Sequence, residues 1–213
     1  MATVNLQGKY NPPEFLDARI GVYAYLVVTG SDVVLIDTGV GIGNARIEKA
    51  FEPRRNSMVR ELERHGVKPA AVNKLVNSHL HFDHCGNNQL FHKAEIFVQK
   101  AELDIARTTT HTVREWFDYQ GAQIVSVDGD LEISEGIKIL STPGHTPGHQ
   151  SVLVETGDGQ VLIAAQAAYS ADEYQRGGDP EIQAHEGFQN QYLESIERLK
   201  SLGAGQVYFS HES

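Results

Sequence analysis

The sequence predicts a single α/β domain with mixed β-sheets, extending over residues 1–213. Short β-branched and aromatic runs recur along the chain, and segments with helical spacing separate some of them. The length of 213 residues is that of one domain. No repeat with a period of about 20–50 residues is present. Strands in runs, interleaved with helices, are typical of mixed sheets rather than of a uniform βαβ repeat.

The elements follow from the apolar pattern. Strands are predicted at residues 22–28, 33–36, 74–77, 96–98, 123–125, 137–140, 151–154, 161–163 and 206–209. The first two are expected to form a hairpin of buried strands around a turn at residues 29–32. A helix with Val59 and Leu62 on one face is expected to end at Gly66. A second amphipathic helix, ended by Gly203, carries Phe188, Tyr192, Leu193, Ile196 and Leu199 on one face.

Composition and charge exclude several classes of protein. The hydrophobic content of 40% is that of a globular chain. The formal net charge of −10 disfavours binding to nucleic acid or to an anionic membrane. No apolar run reaches the roughly 20 residues that cross a bilayer, and the first residues lack the pattern of an export signal. The single cysteine, Cys85, cannot form a disulfide within the chain, so the expected compartment is the cytoplasm. The sequence leaves the oligomeric state open between monomer and homodimer.

Four side chains that can bind a metal follow the third predicted strand: His79, His81, Asp83 and His84. In an extended segment alternate residues share a face, so His79, His81 and Asp83 can converge. Asp83 and His84 can both join the cluster only if the chain turns, which Gly86-Asn87-Asn88 permits. Imidazole and carboxylate ligands suit zinc, and also iron, manganese, cobalt or nickel. The alternative interpretation is a polar surface turn.

A second histidine-containing loop covers residues 142–149 and follows a predicted strand. Its two Pro-Gly pairs make a stiff turn that fixes a side chain in place. His145 is the expected ligand, whereas a hydrogen-bonding or core role is predicted for His149. His211, at the end of the last strand, is a third contributor, although taken alone it is an ordinary terminal residue.

No functional role is predicted for the other potential metal ligands. His65, His92, His111 and His185 lie in polar stretches and are predicted to be solvated helix ends and loops. Cys85 is interpreted as a small buried thiol, with a redox or ligand role as the alternative.

With these motifs the sequence resembles the metallo-β-lactamase superfamily, and within it most closely the N-acyl-homoserine lactonases. The resemblance rests on Asp37-Thr38-Gly39, the run from His79 to His84, the loop at 142–149, Ala167-Ala168-Tyr169 and His211. The fold it implies is α/β, a four-layer αβ/βα sandwich of two mixed β-sheets with helices outside. The metals would lie at one edge of this sandwich.

The resemblance also implies a cofactor, one or two zinc ions, with iron, manganese or cobalt as alternatives. The ligands it implies are His79, His81 and His145 for a first metal, and Asp83, His84 and His211 for a second. Asp37 resembles a residue that supports the ligand loop, although an aspartate before Thr-Gly is equally typical of a turn.

One position departs from the family. Where the family has an aspartate that bridges the two metals, this chain has Gln166. The amide oxygen of Gln166 can still coordinate one metal, but a glutamine cannot supply the charge of a bridging carboxylate. Each metal retains three other ligands, which is a common catalytic set. The first metal is therefore the firmer expectation, and occupancy by two is open.

The activity implied by the resemblance is hydrolysis of a lactone of the N-acyl-homoserine type, as in quorum quenching, or of a related ester. The expected partner is thus a small ester or lactone substrate. Metal-bound water, with its pKa lowered towards about 7, would supply hydroxide to attack the carbonyl. Tyr169 resembles a tyrosine that donates a hydrogen bond to the carbonyl oxygen, and Asp83 would pass a proton to the leaving alkoxide. The alternative for Tyr169 is an aromatic side chain that closes the core.

Other functions are weighed against this one. A glyoxalase-II-like thioesterase shares the ligand motifs but usually carries a helical domain after the last ligand, and here two residues follow His211. A nuclease conflicts with the negative charge, and a flavodiiron protein would have a glutamate in the first ligand run. The alternative from another class is a degenerate metal-binding protein without activity, in which Gln166 marks lost catalysis. Retention of the six other ligands argues against it.

An acyl chain would need an apolar wall. The candidates are Phe15, Leu16, Phe82, Trp116 and Phe117, and core packing explains them equally well.

Overall fold

Two five-stranded mixed β-sheets pack face to face, and helices cover both outer surfaces. The computed structural model describes residues 2–5 and 19–211, of which residues 2–5 and 19 are described as backbone alone. The expected four-layer αβ/βα sandwich is confirmed. None of the helices in these ranges combines the length and the apolar character needed to cross a bilayer.

The strands within the described ranges are β1 (Ala2–Asn5), β2 (Arg19–Val22), β3 (Tyr25–Val28), β4 (Val33–Ile36), β5 (Arg54–Arg55), β6 (Lys74–Val76), β7 (Glu95–Gln99), β8 (Gln123–Val127), β9 (Leu131–Ser134), β10 (Ile137–Ser141), β11 (Gln150–Thr156), β12 (Gly159–Ala165) and β13 (Gln206–Phe209). The α-helices are α1 (Ala45–Phe51), α2 (Met58–Arg64), α3 (Lys100–Ala106), α4 (Arg114–Phe117), α5 (Ala171–Arg176), α6 (Pro180–Gln183) and α7 (Gln189–Ser201). In the described part of the chain, two short 3₁₀ helices cover Pro69–Ala71 and Asn88–Phe91.

The first large sheet has the order β3-β4-β6-β7-β8 and is mostly parallel. β3 and β4 form the expected antiparallel hairpin, and β4, β6, β7 and β8 run parallel to one another. Helices connect these parallel strands, because a parallel pair needs a crossover.

The second large sheet has the order β13-β12-β11-β10-β9. It is antiparallel except for the pair formed by β12 and β13. β10 and β12 both pair antiparallel with β11, so β10, β12 and β13 all run in one direction.

The prediction of one continuous strand over residues 22–28 is wrong. β2 ends at Val22 and β3 begins at Tyr25, and the two strands lie in different sheets. β2 pairs with β1, which also pairs with β5, in a small third sheet. Between the two strands, the Tyr23 N–H donates to the Ser210 carbonyl instead of to a neighbouring strand. β3 is also an edge strand rather than a buried one, and Val28 is 58% exposed.

Successive side chains of a strand point to opposite faces of its sheet, so the buried apolar side chains fall into three clusters. Between the sheets lie Val34, Ile36, Val76, Phe97, Val127, Ile137, Ile139, Val152, Val154 and Ile163. Leu35 and Leu75, on the opposite face of the first sheet, pack with Ile47 of α1 and Leu62 of α2. On the outer face of the second sheet, Leu162 packs with α5 and α7.

The expected amphipathic helix near the end of the chain is α7. Tyr192, Ile196 and Leu199 are buried at the spacing of one helical face, and Leu193 is partly buried against the same cluster. This helix lies against the loop at 142–149, because a Cβ at Gly144 would be 2.6 Å from Cα of Tyr192. Only glycine permits that approach.

Candidate metal centre

The segments that carry the expected ligands begin where strands end. β4 and β6 are parallel and end at the same edge of the first sheet, where Asp37 and residues 77–84 follow them. β10, β12 and β13 likewise end at one edge of the second sheet, where the loop at 142–149, Gln166 and His211 follow them. The candidate site lies where these two edges meet.

The segment from His79 to His84 ends in a turn at residues 82–84 and is not extended throughout, as the sequence led us to expect. β6 ends at Val76, and the His84 N–H donates to the His81 carbonyl at 3.0 Å. As the sequence required, the chain turns where Asp83 and His84 join the cluster. The turn groups Asp83 with His84 and not with His79 and His81.

Six side chains form two groups that could each hold a metal ion, with the ligand atoms of each group within 4.8 Å of one another. The three-histidine group consists of His79, His81 and His145, and the Asp83 group consists of Asp83, His84 and His211. The groups are adjacent, since the rings of His79 and His84 are 4.0 Å apart between centroids.

The buried Asp37 carboxylate lies behind both groups. Its Oδ2 is 2.8 Å from Nδ1 of His84 and also accepts from the Ser78 hydroxyl at 2.7 Å. The Ser78 oxygen in turn is 3.1 Å from Nδ1 of His79. Asp37 thus acts as the support for the ligand loop that the resemblance implied. Its φ of 59° lies in the left-handed region, and such strain clusters at functional sites.

His145 is oriented by the backbone of the neighbouring helix. Its Nδ1 is 3.1 Å from the Gln183 carbonyl, which can only accept, so Nδ1 carries the proton and Nε2 keeps its lone pair. That Nε2 is 3.2 Å from Nδ1 of His81. The Ser195 hydroxyl donates to the Pro143 carbonyl at 2.7 Å and ties the loop to α7.

His211 has the same arrangement. Its Nδ1 is 3.0 Å from the Gly21 carbonyl, so Nε2 faces inward as an acceptor. There it is 3.1 Å from Oε1 of Gln166 and 3.7 Å from Oδ2 of Asp83. The same Asp83 oxygen is 3.6 Å from Nε2 of His84. Several acceptor atoms converging on one point are typical of a cation site.

Two ring nitrogens at the centre fit a metal directly. Nε2 of His79 and Nε2 of His84 are buried and have no hydrogen-bond partner within the described residues. A buried polar atom without a partner is costly, and a cation bound in each group would satisfy the nitrogen of that group. The donor set of imidazoles with one carboxylate is that of a divalent metal such as zinc.

Burial keeps most of these imidazoles neutral, which is the form that binds metal. Desolvation, with a smaller effect of neighbouring histidines, lowers the pKa of His79 and His81 well below the ordinary value. Burial also lowers the pKa of His145 to about 3, and it lowers the pKa of His211 despite the opposing effect of Asp83. Burial by itself would also lower the pKa of His84, but the carboxylates of Asp83 and Asp37 outweigh this effect and raise the pKa.

His149 hydrogen-bonds within the fold, in the role expected for it. Its Nε2 accepts from the Gln166 N–H at 3.1 Å, and its Nδ1 is 3.1 Å from the Thr142 carbonyl. Both ring nitrogens are therefore used. The bond to Nε2 fixes the backbone of Gln166. The preceding residue, Ala165, has a φ of 54°, and the chain bends there at the end of β12.

Tyr169 lies beside the Asp83 group. Its ring stacks on that of His211, with centroids 5.1 Å apart and planes at 26°. Its N–H donates to Glu173, and its ring is partly buried against the core under the first sheet. Burial, with Asp83 and Glu173, raises the pKa of Tyr169, so the hydroxyl stays protonated and able to donate at neutral pH.

Two residues near the site gave no signal in the sequence. Glu102 is buried in the first turn of α3 and accepts from the Leu80 N–H and the Thr146 hydroxyl. A glutamate in a first helical turn is ordinary, so only the tertiary contacts reveal it. The ring of His111, expected to be solvated, is exposed but lies 5.4 Å from that of His81.

The remaining candidates are assigned by burial. Phe82, Trp116 and Phe117 belong to the core under the first sheet, which favours packing over an acyl-chain wall. Phe15 and Leu16 lie outside the described residues. Cys85 is a buried thiol, and burial raises its pKa well above the ordinary value.

Comparison with known proteins agrees with this architecture. The family model of the metallo-beta-lactamase superfamily matches residues 18–211. The chain belongs to the metallo-β-lactamase superfamily.

The similar curated proteins are N-acyl homoserine lactonases. One from Bacillus sp. is 34% identical over 94% of this chain and 84% of its own length. One from Bacillus cereus is 32% identical over 91% of this chain and 82% of its own length. A solved N-acyl homoserine lactone hydrolase, with the product N-hexanoyl-L-homoserine bound at its catalytic metal centre, matches with a TM-score of 0.80. It is 27% identical and covers 99% of this chain and 89% of its own.

Proposed function

We propose that this chain is a metal-dependent hydrolase that opens N-acyl-homoserine lactones, a quorum-quenching activity. The observation that carries the proposal is the pair of adjacent ligand groups, in which the buried Nε2 atoms of His79 and His84 have no hydrogen-bond partner among the residues that the structure describes. The lactonase relatives, which match over most of the chain, supply the substrate class. The domain is proposed to span residues 1–213.

Zinc is the proposed metal, held by the three-histidine group and the Asp83 group, with iron, manganese or cobalt as alternatives. The two groups differ in one respect. The first is entirely neutral, whereas the second contains a carboxylate and faces the amide of Gln166. When bound, the metal would polarise the lactone carbonyl and lower the pKa of water at the site.

Two side chains of this chain complete the proposed chemistry. The Tyr169 hydroxyl, kept protonated by burial, would donate to the carbonyl oxygen as negative charge develops on it. The Asp83 carboxylate, next to both His84 and His211, would accept a proton and deliver it to the leaving alkoxide. Asp37 holds the rings of His79 and His84 in place through Ser78 and directly.

The proposed partner is a small lactone, not nucleic acid or a membrane surface, in accord with a net charge of −10. The cytoplasm is the proposed compartment, because the free buried Cys85 requires no oxidising environment.

The test is elemental analysis of protein purified without added metal, with hydrolysis of an N-acyl-homoserine lactone, a thioester and a β-lactam assayed on the same sample. We expect bound divalent metal and preferential opening of the lactone, both lost on chelation. Preferential thioester hydrolysis would favour a glyoxalase-II-like enzyme instead. Bound metal without any hydrolysis would favour the degenerate binding protein, and either result contradicts the proposal.

A further inference from the structure

Glu102 is a buried carboxylate with no part in the chemistry proposed above. It lies in the first turn of α3 and is 1% exposed. A buried carboxylate is costly unless hydrogen bonds satisfy it, so its partners indicate what it does. All of the partners described for it belong to the two loops that carry the three-histidine group.

One carboxylate oxygen binds the first loop. Oε1 of Glu102 accepts from the Leu80 N–H at 2.8 Å. Leu80 stands between His79 and His81, and it is itself completely buried. This hydrogen bond therefore fixes the backbone between two members of the three-histidine group.

The other oxygen binds the second loop. Oε2 accepts from the Thr146 hydroxyl at 2.6 Å. Thr146 directly follows His145 in the chain. The loop rests on the helix here, because a Cβ at Gly148 would be 2.1 Å from the Glu102 nitrogen. Only glycine allows this contact.

We propose that Glu102 is a positioning residue for the three-histidine group, joining the His79–His81 segment to the His145 loop so that the three rings face one cation. It is the counterpart of Asp37, which contacts His84 directly and His79 through Ser78. The two ligand loops come from different sheets, and Glu102 reaches both. The proposal rests on the proposed metal centre, but it concerns metal affinity rather than the substrate.

The experiment measures zinc affinity of metal-free protein by competition with a chromophoric chelator, and records the absorption spectrum of the cobalt(II) form. Glu102→Gln keeps the shape of the side chain but turns one acceptor into a donor. Loss of a group that orients metal ligands typically costs 10- to 100-fold in affinity, so we expect a loss of roughly that size and an altered cobalt(II) spectrum. Thr146→Val, which removes one of the partners, should lose less, and Thr146→Ser should retain the affinity.

The matched control is Asp32→Asn, which neutralises another well hydrogen-bonded carboxylate, on the turn between β3 and β4. It should lower the melting temperature and leave zinc affinity unchanged. Wild-type zinc affinity and an unchanged cobalt(II) spectrum in Glu102→Gln would overturn the proposal. So would an equal loss of affinity in the control at a matched loss of stability.

If Glu102→Gln does not fold, the Thr146→Val variant tests the proposal in its place. Unchanged zinc affinity in Thr146→Val would then contradict the proposal. Because the readout needs no substrate, a protein that binds zinc without opening lactones would contradict only the proposed function.

Discussion

Oε1 of Gln166 lies 3.1 Å from Nε2 of His211, inside the Asp83 group. The position that faces this histidine thus holds a neutral amide, and Asp83 is the only carboxylate among the six residues of the two groups. Two divalent cations in these adjacent groups would repel one another, and a single carboxylate would compensate little of their charge. The three-histidine group is therefore expected to hold the tighter metal.

The first prediction concerns this amide. The unaltered protein is expected to contain clearly fewer than two metals per chain, or a second metal that a mild chelator removes first. Gln166→Asp should raise occupancy of the Asp83 group, because the carboxylate adds a negative charge beside that group. Elemental analysis and chelator competition measure both quantities.

The control for that variant is Gln166→Asn, which has the length of aspartate without its charge. It should not raise metal content. Two tightly held metals in the unaltered protein, with no change in the aspartate variant, would show that the charge argument is wrong. More metal with slower hydrolysis in the aspartate variant would mean that the Gln166 oxygen tunes the site for its substrate.

The second prediction tests the three-histidine group. His145→Ala should abolish hydrolysis and lower metal content, because two histidines remain where three would surround the cation. The matched control is His65→Ala at the exposed end of α2, which should change neither quantity. Full activity with unchanged metal content in His145→Ala would remove His145 from the proposed ligands.

The third prediction tests Tyr169. Tyr169→Phe deletes one hydroxyl and should reduce the rate by roughly 10² to 10³ with metal content intact, if the hydroxyl stabilises the oxyanion. Tyr174→Phe removes a hydroxyl from a tyrosine in the core of the second sheet and should have little effect on the rate. An unchanged rate in Tyr169→Phe would leave this tyrosine with a packing role alone.

The fourth prediction concerns a polar connection between the two sheets. Asp32 forms an ion pair with Lys74 of β6 at 2.9 Å and accepts from Ser134 of β9 at 2.8 Å. The Lys74 contact, followed by the bond from Ser134, lowers the pKa of Asp32 below its ordinary value. A lowered pKa means that this stabilisation is complete above the unfolded pKa of about 3.9 and is lost progressively as the pH falls below it.

Asp32→Asn should therefore lower the free energy of unfolding at pH 7 by about 2 kcal/mol, the scale of hydrogen bonds to a charged group. The difference from the unaltered protein should shrink below about pH 4. Thermal unfolding of metal-free protein across this pH range checks it. Asp158→Asn, at an exposed position between β11 and β12, should match the unaltered protein throughout. A difference that persists undiminished into acid would contradict the charge-based account.

The sequence by itself determined the class of the fold and the chemistry of the site. The His79 to His84 run and the stiff loop around His145 are local patterns. Each strand predicted from residue 33 onward is present, with its ends within two residues of the predicted ones. Strand and helix periodicity depend on neighbours within a few positions, so they can be read from the chain.

Tertiary structure decided the contacts between residues distant in sequence. Residues 22–28 are uniformly strand-forming, and only pairing with β1 on one side and β4 on the other divides them between two sheets. The roles of Glu102 and Asp32 depend on partners 44 and 102 positions away. A carboxylate in a helix or a turn looks the same in the sequence whether it faces solvent or a buried loop. Packing of the two sheets determines which groups surround it, and hence which loops it holds together.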